Sequence, residues 1–165
     1  IGLLPWGLLA CLLHELGHIT VAAALGGQVD GLSLTVVGAE LRIGYDAPLN
    51  YVQDGLVALA GPAANLLTGG LFTALGWGIA AAISLAVGAF NLLPILPLDG
   101  GRVVYGLLAN RLDTDWAERL MTALSGCLMG VLVGVGTVAA VQYANVTLLF
   151  TALWLLAGVL RQGRG

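Results

Sequence analysis

CLLHELGHIT, residues 11–20, sets two histidines and a glutamate inside an apolar run from Leu3 to Leu25. A run of that length suits a helix crossing the hydrocarbon of a bilayer, which takes about 20 residues. Gly26-Gly27 then closes it as a helix stop. An ionisable side chain at such depth costs about 3 kcal/mol or more, so three together point to function. On a helix, His14 and His18 lie one turn apart on one face, where both imidazoles can reach a single ion. Zinc fits that donor pair. Glu15 is rotated by about 100° from His14, which frees it to act as a base on a water at the metal rather than as a ligand. The competing reading is a chance match to H-E-x-x-H near a helix end, a reading that an intramembrane setting disfavours.

The rest of the 165-residue chain is consistent with lipid as the main solvent. It is 59% hydrophobic and 9% charged, with mean hydropathy +0.97, which is the composition of a bilayer protein. Lysine is absent and the formal net charge is -3, so there is no basic patch for nucleic acid. Cys11 and Cys127 both lie in apolar segments and read as buried free thiols. Further apolar runs cover about Tyr51–Leu75, Trp77–Leu96, Trp116–Val141 and Val146–Leu160. Between the first two runs, Leu32, Leu34 and Val36, then Leu41, Ile43 and Tyr45, alternate with polar residues, and a period of two means strands. A two-residue turn at Gly38-Ala39 would pair Val36 with Leu41, Thr35 with Arg42 and Leu34 with Ile43.

The expected fold is therefore an all-α polytopic membrane protein of about five transmembrane helices, with a short membrane-associated β-hairpin over about residues 29–46. The whole of 1–165 reads as a single core domain. Alternating spans put all six arginines, Arg42, Arg102, Arg111, Arg119, Arg161 and Arg164, on one side. By the positive-inside rule that side is the cytoplasm, and the hairpin and the histidines open toward it.

Two histidines leave a catalytic zinc one protein ligand short, and a carboxylate commonly supplies it. The candidates are Asp30, Glu40, Asp46, Asp54, Asp99, Asp113, Asp115 and Glu118. Asp99 is favoured, because Pro94, Pro97 and Gly100-Gly101 predict irregular backbone around it near the membrane, tolerated only inside protein or beside a wet cavity. PLDGG as a plain turn is the alternative. Two intramembrane amides stand out as well. Asn91 either bonds a neighbouring helix or donates to the oxyanion of a tetrahedral intermediate. Asn65, in GPAAN after a bend expected at Gly61-Pro62, reads as a group that holds the core together.

HELGH in one span, GPAAN in the next and NLLPILPLDGGR after a third resemble the site-2 protease family of intramembrane zinc metalloproteases. The resemblance covers roughly Leu3 to Arg111. It implies that His14, His18 and Asp99 bind zinc, that Glu15 is the catalytic base, and that the substrate is a single-span protein cut within or near the bilayer. Without an inserted PDZ-like domain, the core is similar to the sporulation sigma-factor-processing branch. Neither a PDZ nor a CBS domain is expected within residues 1–165, and the span that such proteins carry before HELGH is expected upstream of Ile1. The rival expectation is a zinc carrier or an inactive scaffold for client helices. A carrier needs ionisable residues along the outer halves of the spans, and none is found there. For the protease, an edge of the hairpin is expected to receive the unwound client as an added strand.

Overall fold

The computed structural model describes residues 2–35, 38–45, 48–144 and 146–162. Among the described residues there are six helices: α1 (Leu3–Ala24), α2 (Tyr51–Ala74), α3 (Gly78–Asn91), α4 (Asp99–Ala109), α5 (Thr114–Tyr143) and α6 (Thr147–Gln162). Of these, α1, α2 and α5 are long and apolar enough to cross a membrane, while α3 and the Thr147–Ala157 part of α6 are shorter apolar helices. They divide into two units, Ile1–Leu92 and Leu93–Gly165.

In the first unit, α1, α2 and α3 pack against one another. Their ends follow from local chemistry. Gly26 has φ +86°, and the Gly27 N–H donates to the Ala22 carbonyl while the Gly26 N–H donates to Ala23. These are the paired bonds of a Schellman stop, whose left-handed residue favours glycine. The same arrangement ends α2, with Gly76 at φ +75° and the Trp77 N–H donating to the Phe72 carbonyl. At the start of α2, the Asn50 side chain accepts from Val52 and Gln53 N–H, and Gln53 reaches back to the Asn50 N–H. That reciprocal capping box satisfies donors that a helix start leaves open. The chain continues as helix through Pro62. Close contact between α1 and α2 depends on Gly17, where a Cβ would come within 2.5 Å of the Ala60 carbonyl oxygen. Small residues permit such approach where lipid supplies no hydrophobic drive.

Between α1 and α2 lie β1 (Gln28–Thr35) and β2 (Gly38–Gly44), an antiparallel pair. The register is Thr35 with Gly38, Leu34 with Ala39 and Leu32 with Leu41, and it shifts between Val29 and Gly31. The register expected around a Gly38-Ala39 turn is therefore corrected. From Leu32 to Thr35 the two alternatives differ by an even number of residues, which leaves those residues on the same face, so alternation alone cannot separate them. Residues 36 and 37, and Asp46 in the expected hairpin, lie outside the described residues.

The second unit packs α4 on α5 and α5 on α6, with Met121, Met129 and Leu155 fully buried. Helix α3, in the first unit, ends at Asn91 rather than Leu96. The prolines at 94 and 97 cannot continue a helix, so the expected third span is shorter by that stretch. Asp99 lies in α4 as its first residue, after Leu98 at the cap. The expectation of irregular backbone at Asp99 itself is corrected. A carboxylate in the first turn is favoured by the helix dipole, which draws Asp99 into the helix.

Candidate functional site

Helix α1 carries His14 and His18 on the face it turns to α2. His18 Nδ1 lies 2.7 Å from the Val57 carbonyl oxygen, an acceptor that requires the proton on that nitrogen. Nε2 of the neutral ring is then an acceptor. It faces His14 Nε2 at 3.1 Å, and the rings meet nearly edge to face, 4.7 Å between centroids and 84° between planes. His14 is buried, with 6% of its surface exposed. Two imidazole nitrogens on one tetrahedral zinc, each at 2.0–2.1 Å, stand about 3.4 Å apart. The pair therefore has the spacing of ligands to a single ion.

Gly61 makes room for both rings. A Cβ there would collide with His18 Nε2 and Cε1 and would come within 2.8 Å of His14 Cε1. Any side chain at 61 would fill the space the two rings occupy. Reading Gly61-Pro62 as a bend missed this role, because the sequence pairs neither glycine nor proline with a particular histidine. Glu15, next to the buried His14, is exposed on α1.

In the second unit, Asp99 is buried, with 9% of its surface exposed. Among candidate third ligands whose side chains are described, it is the buried one: Asp54 is half-buried, and Asp113, Asp115 and Glu118 are exposed. Asp30 and Glu40 lie in strands whose side chains are outside the description, as is Asp46. Arg102, one turn on, brings its guanidinium to 3.9 Å from the Asp99 carboxylate. The segment that leads into Asp99 is tied down by its own backbone, Ile95 N–H to Leu93 and Leu98 N–H to Ile95, and by the buried Ser125 hydroxyl, which accepts from the Leu96 N–H at 3.0 Å. Pro94 and Pro97 bring no N–H to satisfy. Gly101 lets the first turn of α4 rest on this segment, since a Cβ would come within 2.5 Å of the Ile95 carbonyl. Ser125 was legible only as one polar residue in an apolar helix.

The amides behave differently from each other. Asn91 Nδ2 donates to the Val87 carbonyl of its own helix at 3.0 Å, which leaves that nitrogen a second proton to donate. Asn65 joins the packing of α2 to α3 through its backbone carbonyl, which accepts from Ser84, and through its Cβ, against which Gly88 lies. Cys11 and Cys127 are free and exposed, not buried. On helices this apolar, the surface they lie on is outward-facing.

The sequence pattern of peptidase family M50 matches residues 74–121, the stretch that contains Asn91 and Asp99. Rip3 of Mycobacterium tuberculosis is 37% identical over 120 residues, covering 63% of this chain and 30% of its own. The zinc metalloprotease MJ0392 of Methanocaldococcus jannaschii is 26% identical across 92% of this chain and 46% of its own. Stage IV sporulation protein FB of Bacillus subtilis is 28% identical across 74% of this chain and 46% of its own. This chain thus spans less than half the length of these curated relatives. The solved site-2 protease from Methanocaldococcus jannaschii shares the fold, with TM-score 0.69 at 19% identity over 94% of this chain and 74% of that one. With three helices able to cross a bilayer, the protein is integral to a membrane. A matching M50 segment over residues 74–121 and a common fold make this chain similar to the site-2 proteases.

Proposed function

We propose that the chain is the core of an intramembrane zinc metalloprotease that hydrolyses a peptide bond of a single-span membrane protein. His14, His18 and Asp99 are its zinc ligands, Glu15 its base and Asn91 a donor to the oxyanion. The observation that carries the reading is the histidine pair itself, two Nε2 atoms 3.1 Å apart over a glycine that leaves them room. The donor chemistry adds support: two imidazoles and a carboxylate are a set that a catalytic zinc takes, and His14 and Asp99 are each buried within their own unit. The relatives named as zinc metalloproteases add support as well.

When bound, zinc would polarise the scissile carbonyl and make water a nucleophile near neutral pH. Glu15 takes a proton from the attacking water and returns it to the leaving amine, so the carboxylate ends the cycle as it began. Asn91 Nδ2 offers its second proton to the oxygen that gains charge. His18 holds its tautomer through Val57, which keeps Nε2 as a donor of electrons. The arginine distribution supports a site that opens to the cytoplasm, with the β1–β2 pair on the same side to receive an extended client.

The test is cleavage of a single-span substrate by the full chain in proteoliposomes, with zinc content measured beside turnover. Glu15→Gln should abolish cleavage and keep zinc, because the amide cannot accept a proton while both imidazoles remain. Near wild-type turnover by this variant would remove Glu15 from the mechanism.

A further inference from the structure

Asn65 is fully buried, yet neither Oδ1 nor Nδ2 of its side chain has a hydrogen-bond partner. Withdrawing an amide from water unpaired costs about 1–3 kcal/mol, so such a group needs a reason. Gly88 of α3 lies against the Asn65 Cβ, but the hydrogen bonds of that contact do not supply one. The Ser84 hydroxyl donates to the Asn65 backbone carbonyl at 3.0 Å, and Thr68 bonds the Ala64 carbonyl and Ser84. The α2–α3 contact is satisfied without the amide.

Its position supplies the reason. His18 meets Val57 and Gly61, whereas His14, one turn earlier on α1, meets Gly61. One turn back along α1 is thus one turn forward along α2. The next turn of that face after Gly61 is Asn65. Nδ1 of His14 is a fully buried atom, next in the ring to the Cε1 that abuts Gly61, while Nε2 is directed at His18.

We propose that Asn65 is a positioning residue for His14: its Oδ1 receives the Nδ1 proton of His14 through one ordered water, as the Val57 carbonyl receives that of His18. A buried water typically makes about three hydrogen bonds and needs polar partners, which the amide offers at both ends. The bridge fixes the His14 tautomer and leaves Nε2 for the ion. This inference rests on the reading that His14 ligates zinc through Nε2, but its test needs no metal.

The chain has two histidines, so uniform histidine 15N labelling of the full protein in bilayers gives two resolvable rings. In metal-free Asn65→Leu, the His14 Nδ1 resonance should move or split between tautomers while His18 stays as in wild type. With zinc added alone as the probe, affinity should fall about tenfold or more, as for other outer partners of ligating histidines. Asn65→Asp keeps the acceptor and should keep the wild-type ring signals. Ser84→Ala, whose lost hydroxyl bonds the Asn65 backbone carbonyl and Thr68 rather than the amide, should move neither ring. Both rings unchanged in Asn65→Leu would overturn the proposal even if the chain binds zinc as described. Should that variant not fold, the unaltered protein decides: a His14 Nδ1 to Asn65 Cγ separation of about 5 Å is expected for one bridging water, and a separation beyond about 8 Å overturns it.

Discussion

At one end of the Ile1–Leu92 unit, where α1 and α3 begin and α2 stops, Trp6, Phe72 and Trp77 stand with ring centroids 6.4, 6.0 and 5.7 Å apart. Leu9, Leu13, Ala80 and Ala81 complete this apolar cluster. Further along the same helices, the space between α1 and α2 is set by what α2 lacks, a side chain at Gly61, and is filled by two imidazoles. The aromatic end is held by volume and tolerates some exchange of shape. At the histidine end a single methyl decides whether the rings fit. The contrast separates stability from function along one bundle, so substitutions at the two ends should fail in different assays.

The largest effect is expected from Gly61→Ala. The new Cβ meets the Nε2 and Cε1 atoms of His18 and Cε1 of His14, and the rings can move only by giving up their shared direction. Zinc affinity should fall about 100-fold, near the top of the range seen when the support of a ligating histidine is lost. Thermal stability in detergent should change little. A Gly61→Ala protein that binds zinc like wild type would show that the glycine serves helix contact alone.

Phe72→Ala should do the reverse, with a smaller effect. In water, loss of such a ring from a core costs about 3–5 kcal/mol. In lipid the unfolded reference also keeps the ring in apolar surroundings, so only packing is lost, about 1–2 kcal/mol. Steric-trap or denaturant titration in bilayer mimetics can read this, and zinc affinity should stay within about twofold of wild type. A matching loss of zinc would mean that the two ends are coupled through α1, and the separation argued here would not hold.

The same contrast explains what could be read from sequence. HELGH was legible because helical spacing alone brings His14 and His18 together, and the stop of α1 was legible because Gly26 needs a positive φ. Asp99 stood out by its prolines and glycines, although those residues could not tell irregular backbone from the first turn of a helix. The strand register was not legible, since an even shift leaves alternation unchanged. Gly61, the Val57 carbonyl and Ser125 were not legible as parts of a site either. Their contributions are an absent side chain, a backbone atom and a single hydroxyl on another helix, and none leaves a pattern in the chain. Asn65 was visible as a polar residue in a span. That its amide stays out of the hydrogen bonds between α2 and α3 became apparent only once its neighbours were in place.

Zinc-edge X-ray absorption on the full chain in bilayers tests the central claim most directly, because it reports the ligands rather than the consequences of losing them. The account predicts two imidazole nitrogens at about 2.0–2.1 Å with oxygen ligands at about 2.0–2.2 Å and no sulfur. One imidazole should disappear in either His14→Ala or His18→Ala, and one oxygen in Asp99→Ala. A sulfur shell near 2.3 Å, or a two-imidazole spectrum that survives loss of either histidine, would contradict it.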